Sequence, residues 1–457
     1  MTEKSMKRWA LTMTAAGSFM VILDAMVVVS ALGTIRADLG VSIEALEWTL
    51  NAYNLSFAVL LVTGAALGDR FGRRRLFLGG LSLFVVASVG CALAPNAGWL
   101  IAARAIQGIG GAFVIPLAVA LLSASVPPQE RGKALGIFAS IGGLALILGP
   151  VLGGAIAQGW AWQWIFWINV PVGLIVIPLA RWRLVESRGP AAPIDLLGVL
   201  LVTGSTLGLV WGLMRGNDAG WGSTEVMAML TAGVLLAILF IAWEKRTAAP
   251  MVPIHWFAQR TFGAGIATGF LFNAAMYGVL FLMPQFFQSA QNHAAFDAGV
   301  RMLPWTATLF VVAPFAGALC NRIGERKLIV AGLLLQAVGF AWIAWLARPD
   351  VAYVSLILPQ IIAGSGVSMA TPATQNVILG AVARSDLGKA SGIYNMFRFL
   401  GAVSGIAIAG AVFGIRGSFA SSDSFTAGFV MAAYVAASLS LLGAVIGLRV
   451  RRSVNAS

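Results

Sequence analysis

Charged residues are scarce in this chain of 457 residues. They make up 10% of it, whereas 59% of its residues are hydrophobic and the mean hydropathy is +0.88. Because so little polar surface cannot coat a soluble globule, we predict an all-α polytopic membrane protein. The formal net charge of +13 comes from basic residues between apolar runs and not from one basic patch, so no nucleic-acid partner is expected.

Cysteine and histidine are almost absent. Cys91 and Cys320 fall at opposite ends of two predicted membrane segments, most of a ~30 Å bilayer apart, which excludes a disulfide. His255 and His293 are isolated, and no metal-site spacing occurs. The loops also lack nucleophile elbows, phosphate-binding loops and paired catalytic carboxylates. We therefore expect no enzyme, no metal and no cofactor.

The chain contains many long apolar runs. Windows of about 20 residues predict fourteen membrane-spanning segments, numbered 1 to 14 in chain order. Segment 1 contains Asp24 and is too long for a signal peptide, so it should be an uncleaved helix. The approximate limits are 9–32, 46–68, 76–94, 98–122, 133–157, 164–184, 196–214, 225–243, 261–283, 298–320, 328–347, 352–378, 389–414 and 425–447.

Most lysines and arginines fall on one side of these segments. An even number of segments puts both termini on the same side, which holds 23 of the 30 basic residues against five in the opposite loops. Because basic loops stay in the cytoplasm, both termini are predicted to be cytoplasmic. The predicted location is the cytoplasmic (inner) membrane of a bacterium.

The chain repeats itself. The stretch Gly64–Leu76 has a weaker copy at Gly317–Lys327 with an offset of 252, and residues 108–136 recur at an offset of 256. Segments 1–6 therefore recur as segments 9–14 in the same orientation. We predict an N-terminal six-helix bundle (1–184), a linker with two extra transmembrane helices (185–260) and a C-terminal six-helix bundle with a short tail (261–457). The extra helices either only link the bundles, which we favour, or handle substrate.

Three charged residues lie well away from the ends of the predicted segments: Asp24, Arg104 and Arg398. An ionised side chain at the centre of an isolated span costs roughly 2.5–3.5 kcal/mol, so such residues face a partner or a cavity. Asp24 and Arg104 lie ~12 and ~9 Å from the outer ends of their segments, where they can meet. We infer a coupled Asp24–Arg104 site in which Asp24 carries a proton; a static ion pair that only fixes packing is an equal alternative.

Polar residues in several segments are candidates for a central cavity. Arg398 shares a helix face with Tyr394 and either binds substrate or satisfies carbonyl groups across its bundle, which we favour slightly. Each of the others is an alternative helix–helix hydrogen bond, and methionine would give an adaptable apolar lining. The candidates are Met20, Asn51, Asn54, Asn273, Tyr277, Gln360, Gln375, Tyr394 and Arg398.

Two local patterns concern packing. Segment 5 contains Gly149, Pro150, Gly153 and Gly154, a sequence that predicts a kink and close packing, hence a hinge or a seal. Four tryptophans bunch before and within segment 6, where an aromatic belt is favoured over a ligand cage. These are Trp160, Trp162, Trp164 and Trp167.

Taken together, these motifs resemble the major facilitator superfamily and, within it, the fourteen-helix drug/proton antiporters. Gly64–Leu76 is similar to the family's loop between helices 2 and 3, and Arg104 with Gln107 resembles its helix-4 arginine motif. Residues 149–154 resemble the antiporter motif of helix 5, and the run 164–173 is typical of this group.

The resemblance implies two six-helix bundles around a central cavity that opens alternately to each side. Asp24 matches the family's helix-1 acid, but Met26, Val29 and Gly33 replace the usual Thr, Asn and Pro, so the substrate range does not carry over. The resemblance assigns conformational gating to Gly64, Gly68, Asp69, Arg70, Gly72, Arg73 and Arg74 in the loop and to Gly149, Pro150, Gly153 and Gly154 at the bundle interface.

The predicted function is proton-coupled efflux of amphipathic organic compounds, organic cations among them, by alternating access. The expected partners are the lipid bilayer, protons and a small amphipathic substrate, with a monomer as the working unit. One alternative is a dedicated exporter or symporter of a single metabolite on the same fold. A non-transporting sensor or scaffold is a remote alternative, since the short tails leave no room for a soluble output domain.

Overall fold

The computed structural model describes residues 3–40, 43–189, 195–247, 250, 252–293 and 295–450. Fourteen long helices account for most of them. They are α1 Glu3–Leu39, α2 Ile43–Phe71, α3 Arg73–Ala92, α4 Ala97–Ser125, α5 Pro128–Gly159, α6 (Trp164–Trp167 and Asn169–Arg183), α7 Leu196–Ala219, α8 Thr224–Glu244, α9 Arg260–Gln285, α10 Leu303–Ile323, α11 Glu325–Leu346, α12 Tyr353–Gly380, α13 Leu387–Arg416 and α14 Ser422–Gly447.

The predicted segments coincide with these helices. Thirteen of the helices are long and apolar enough to cross a membrane. The remaining helix, α5, has 32 residues, and the surroundings of its side chains are described only in part. Helix α1 extends well beyond the predicted 9–32, because hydropathy detects only the part of a helix inside the hydrocarbon whereas backbone hydrogen bonding continues into the interface. The chain is therefore a multi-pass helical membrane protein.

The helices form two bundles, α1–α6 and α9–α14. The repeat is visible in their packing. Gly108 of α4 lies against the carbonyl oxygen of Tyr53 on α2, and Gly364 of α12 lies against that of Trp305 on α10. Trp305 is 252 residues after Tyr53, and Gly364 is 256 residues after Gly108. Residues related by the two offsets thus form the same helix crossing in each bundle. Glycine makes this crossing possible because it lets two backbones approach closely.

The two inserted helices, α7 and α8, pack on each other, and α7 also packs on both bundles. The rings of Trp48 on α2 and Trp211 on α7 have centroids 4.8 Å apart. Farther along α7, Asn217 Nδ2 donates to the carbonyl oxygen of Ala407 on α13 at 3.3 Å. Helix α7 therefore lies along the line where α2 and α13 meet.

Candidate functional site

The charged pair expected inside the membrane is formed in the first bundle. Asp24 of α1 and Arg104 of α4 are each 1% exposed, and Arg104 Nη1 lies 2.5 Å from Asp24 Oδ2. The structure thus brings together the two residues that were predicted to meet because they lie at similar depths in the membrane. Their role in proton coupling remains a prediction.

Two amides hold the other carboxylate oxygen. Asp24 Oδ1 accepts hydrogen bonds from Gln107 Nε2 of α4 at 2.9 Å and from Asn169 Nδ2 of α6 at 2.7 Å. The same two nitrogens lie 2.8 and 3.3 Å from Ser88 Oγ of α3. We call Asp24, Ser88, Arg104, Gln107 and Asn169 the Asp24 network. Four helices contribute to it, and all five side chains are buried.

The guanidinium of Arg104 has further partners. Its Nε donates to the carbonyl oxygen of Thr49 at 3.2 Å, and Nη1 donates to Gln107 Oε1 at 2.6 Å. Its central carbon lies 4.1 Å from the ring centroid of Tyr53 and 5.8 Å from that of Phe166. Ring faces, a carbonyl and an amide therefore solvate the cation together with the carboxylate, which is what a buried charge requires.

This arrangement fits an ionised Asp24. A charged carboxylate only accepts hydrogen bonds, whereas a protonated one must also donate. Arg104, Gln107 and Asn169 all present N–H groups to it. Adding a proton to Asp24 therefore rearranges the network and leaves Arg104 without its counter-charge, so the site is sensitive to the protonation of a single group.

The second bundle repeats the helix packing around this site, but the matching positions carry no charged side chains. The positions that match by the two offsets are Gln360 for Arg104, Ala363 for Gln107, Phe340 for Ser88 and Trp305 for Tyr53. Trp305 and Phe340 pack edge to face with centroids 5.5 Å apart. Gln360 is fully buried, and neither of its amide heteroatoms has a hydrogen-bond partner within the described part of the chain. At these positions, the charge belongs to the first bundle only.

A second ionic cluster joins the two bundles at the end of the molecule that carries the loop Gly64–Leu76, called here the basic end. Asp69 and Arg73 are buried and paired, with Arg73 Nε 2.7 Å from Asp69 Oδ1. Across the boundary, Arg73 Nη2 donates to the carbonyl oxygen of Ser385 at 2.8 Å, and the backbone N–H of Lys389 donates to Asp69 Oδ2 at 2.9 Å. We call Asp69, Arg73, Ser385 and Lys389 the latch.

The latch uses the start of a helix. Lys389 is the third residue of α13, where backbone N–H groups lack partners inside the helix and the helix dipole favours an anion. Gly388 makes the approach possible, since a Cβ there would overlap the Asp69 carboxylate. Nearby, Ser391 Oγ of α13 donates to the carbonyl oxygen of Pro116 on α4 at 2.8 Å. The first bundle is therefore hydrogen-bonded to the beginning of α13.

The other gating candidates of the loop contact their own bundle. Gly64 and Gly68 face α4, at Ala112 and Leu117, and Gly72 has φ of +113°, a conformation that favours glycine. The backbone N–H groups of Arg74 and Arg75 donate to the two carboxylate oxygens of Glu186 at 2.9 and 3.3 Å, and Arg74 Nη1 donates to the carbonyl oxygen of Leu184 at 2.9 Å. Arg70 is exposed at the end of α2.

Within the part of α5 whose packing is described, two glycines outside the predicted motif meet the other bundle. A Cβ at Gly136 would lie 2.6 Å from the carbonyl oxygen of Ala313, and one at Gly143 would lie 2.7 Å from Leu309, both on α10. Gly149 instead faces Met26 of α1, in its own bundle. Gly153 is buried, and the packing of Pro150 and Gly154 lies outside what the structure describes.

The cavity candidates are dispersed over both bundles. Met20, Asn273, Gln360, Gln375 and Tyr394 are buried, Met20 within the apolar core of the first bundle, while Asn51, Asn54, Tyr277 and Arg398 are partly exposed. Asn273 Nδ2 donates to Gly269 of its own helix at 2.7 Å. The structure does bring Tyr394 into electrostatic range of Tyr277 and Arg398.

Two pockets lie away from these residues. One, of about 360 Å³, is an apolar groove between α2, α4 and α7 lined by Trp48, Ile101 and Leu207 among others. The other, of about 610 Å³, lies at the basic end beside Glu244, Lys245 and His255. Among the described residues, no group of three or more His, Cys, Asp or Glu side chains is placed to hold a metal ion.

Sequence reasoning assigned no role to Ser88 or Asn169. Asn169 is part of the run 164–173, and the signal that would have found it is a lone amide in an apolar segment near the depth of Asp24. The aromatic belt is only partly right. Trp160 and Trp164 are 68% and 52% exposed, but Trp162 is 2% exposed, and its Nε1 donates to Asp38 Oδ2 at 2.7 Å.

Comparison with known proteins agrees with this architecture. The family model described as "Major Facilitator Superfamily" matches residues 14–310 and 266–456. The human organic anion transporter MFSD10 (TETRAN) has the same fold, with a TM-score of 0.68 and 16% sequence identity over 96% of this chain and 99% of that one.

Curated relatives are resistance and export proteins of bacteria. "Multidrug resistance protein Stp" of Mycobacterium tuberculosis is 35% identical over 401 residues, 87% of this chain and 74% of that protein. "Methylenomycin A resistance protein" of Bacillus subtilis is 32% identical over 94% of this chain and 92% of that protein. "Tetracenomycin C resistance and export protein" of Streptomyces glaucescens is 32% identical over 88% and 75%. The chain belongs to the Major Facilitator Superfamily, as a transporter and not an enzyme.

Proposed function

We propose that this chain is a proton-coupled efflux antiporter of a bacterial cytoplasmic membrane, with the basic end and both termini in the cytoplasm. Its substrates are amphipathic organic compounds, organic cations among them. The observation that supports the proposal is the Asp24–Arg104 pair, which is buried in the first bundle, whereas the second bundle has the uncharged Gln360 at the position that matches Arg104. Ionisable residues inside membrane segments are rare, and they mark proton relays and substrate pathways.

The coupling follows from the charge of Asp24. While Asp24 is ionised, the site is compatible with a cationic substrate. A proton that arrives from the outer side neutralises the carboxylate and disfavours that substrate, which leaves outward. The proton then departs from Asp24 to water on the cytoplasmic side. A proton that enters down ~100 mV releases about 2.3 kcal/mol, before any pH gradient contributes.

The latch supplies the conformational step. It joins the bundles at the basic end through Asp69, Arg73 and the start of α13, so in this arrangement the bundles are held together on the cytoplasmic side. Uptake of substrate from the cytoplasm then requires the latch to break. Alternating access in this proposal is the exchange between the latched state and one in which α13 has separated from α2.

Inverted membrane vesicles that contain a pH-sensitive dye test the proposal. Tetraphenylphosphonium, ethidium or methylenomycin A is added after respiration has acidified the interior, and the expected result is release of the pH gradient by at least one compound. Asp24→Asn is expected to abolish this release, because the amide cannot carry the proton. Thr14→Ala is the matched control, since Thr14 lies buried on the same helix and its hydroxyl, within the described part of the chain, bonds carbonyl groups of α1.

Equal gradient release by wild type and Asp24→Asn, at equal amounts of folded protein, would contradict proton coupling at this residue. So would a compound that is exported against its gradient by Asp24→Asn as fast as by wild type.

A dedicated exporter of one natural product is the second candidate function. The names of two relatives support it, because each specifies a single compound: methylenomycin A and tetracenomycin C. Growth inhibition in a pump-deficient host separates the two functions. Protection against several unrelated compounds supports the multidrug function, whereas protection against one compound only supports the dedicated exporter.

A further inference from the structure

Asn169 occupies an unusual place in the Asp24 network. It is the first residue of the second part of α6, directly after the break at Ile168, and it is 1% exposed. Its Nδ2 lies 2.7 Å from Asp24 Oδ1. Arg104 and Gln107 reach Asp24 from one helix, α4, so Asn169 is the donor that reaches the carboxylate from α6.

The neighbours orient the amides. Ser88 Oγ donates to the carbonyl oxygen of Phe84 at 2.8 Å, so it can only accept from Asn169 and Gln107. Gln107 Oε1 receives Arg104 Nη1, which leaves the Gln107 NH₂ group facing Asp24. Ser88 Oγ and the Asp24 carboxylate both act as acceptors, so the group of Asn169 that contacts them is its NH₂ group.

The segment that carries Asn169 is anchored independently of Asp24. Trp162 Nε1 bonds Asp38 near the outer end of α1, and Ile165 and Phe166 are fully buried. Helix α1 is thus tied to this segment at Asp38 and again at Asp24, fourteen residues apart, which is about 21 Å along a helix. A segment anchored in this way holds the Asn169 donor at a fixed distance from the Asp24 carboxylate.

We infer that Asn169 is a positioning residue that sets how readily Asp24 takes up its proton, an inference that rests on the proposed function. While Asp24 is charged, the Asn169 NH₂ group donates to Oδ1. When water delivers a proton to Asp24, the new O–H must donate, and rotation of the Asn169 amide presents its oxygen as the acceptor. Asn169 gains and loses no proton in this step, and the proton leaves Asp24 for water.

The other groups that face Asp24 within the described structure come from α2, α3 and α4. They are the phenol of Tyr53, the thiol of Cys91 and the guanidinium of Arg104, and Arg104 alone carries a charge. Removal of the Asn169 donor therefore leaves the attraction of Arg104 in place and takes away a hydrogen bond made to the charged carboxylate.

Reconstituted protein tests the inference through the pH dependence of tetraphenylphosphonium–proton exchange. Asn169→Leu keeps a similar volume without the amide, and its half-maximal exchange is expected about one pH unit above that of wild type, a tenfold change in proton affinity. The direction follows because the bond that the charged carboxylate loses is charge-assisted and therefore stronger than the neutral bond that the protonated carboxyl loses. Asn169→Gln, which retains the amide, is expected to return the profile toward wild type, and Thr14→Ala should leave it unchanged.

The outcomes are separable. If Asp24→Asn abolishes exchange but Asn169→Leu lowers the rate equally at every pH, the positioning role is wrong and the proposed function stands. If Asp24→Asn leaves exchange intact, the proposed function itself is wrong. Should Asn169→Leu fail to fold, Asn169→Ala is used; a pH profile identical to that of wild type in this uncharged variant, which lacks the donor, would also overturn the inference.

Discussion

Replacement of Arg104 by leucine is expected to lower the free energy of unfolding by about 3–5 kcal/mol, because it leaves the Asp24 carboxylate buried without its partner. The amides of Gln107 and Asn169 remain as donors but carry no charge. Thermal unfolding of the purified protein in detergent, followed by tryptophan fluorescence, measures the change. Transport should be lost in the same variant.

The double variant Asp24→Asn/Arg104→Gln separates the two interpretations of the pair. Replacing both charges by amides removes the unpaired ion, so most of the lost stability should return. If the pair only fixes packing, transport returns with stability. If Asp24 carries the proton, the double variant is stable and inactive, which is the expected result.

A stable double variant that still exchanges substrate for protons would contradict the proton-carrier role and favour the static ion pair. Full stability of the single variant Arg104→Leu would show instead that Asp24 finds another partner or is neutral without it. Thr14→Ala again serves as the control for a buried substitution on α1.

The pairing of Asp24 with Arg104 was predictable from sequence for a physical reason. The rise per residue of a helix is fixed, so position within an apolar segment gives depth in the membrane. Two opposite charges at similar depth then find each other, since each is costly alone. The duplicated architecture was predictable as well, because the offsets of 252 and 256 recur in helices that need the same glycines at the same crossings.

Helix rotation was not predictable in the same way. Hydrophobic periodicity identifies the buried face of a helix only when another face is polar, and a membrane helix is apolar all round. Helix α5 has glycines on several faces, and nothing in its sequence distinguishes Gly136, which meets α10, from Gly149, which meets α1. The contribution of Asn169 was missed for the same reason, since its partner depends on how α6 is turned.

The latch makes the second large prediction. Asp69 accepts two charge-assisted hydrogen bonds. The bond from Arg73 lies within the first bundle, and the bond from the Lys389 N–H joins that bundle to α13. Asp69→Asn keeps the shape but removes the charge, and it leaves Arg73 buried without a counter-ion. Hydrogen bonds to charged groups contribute about 1.5–3 kcal/mol each, so the ratio of latched to open protein should fall by roughly 10- to 100-fold.

Spin labels on each side of the boundary measure that ratio. Cysteines at Arg75 and Ala383 place one label on each bundle at the basic end, on exposed residues, while the native Cys91 and Cys320 are buried. Double electron–electron resonance should show mainly the shorter distance in the latched protein. In Asp69→Asn a second, longer distance is expected, because α13 is free to leave α2.

Glu325→Gln is the matched control for this change. Glu325 lies 252 residues after Arg73, in the second copy of the loop, and its carboxylate accepts from Asn376 at 2.7 Å within the second bundle. Loss of that charge should leave the label distances unchanged, because the bond does not cross between bundles. If Glu325→Gln and Asp69→Asn opened the basic end to the same extent, loss of a carboxylate at this surface would be sufficient and the latch would not be the element that closes it. An unchanged distance in Asp69→Asn would mean that the close packing of α5 against α10, at Gly136 and Gly143, holds the bundles together without it.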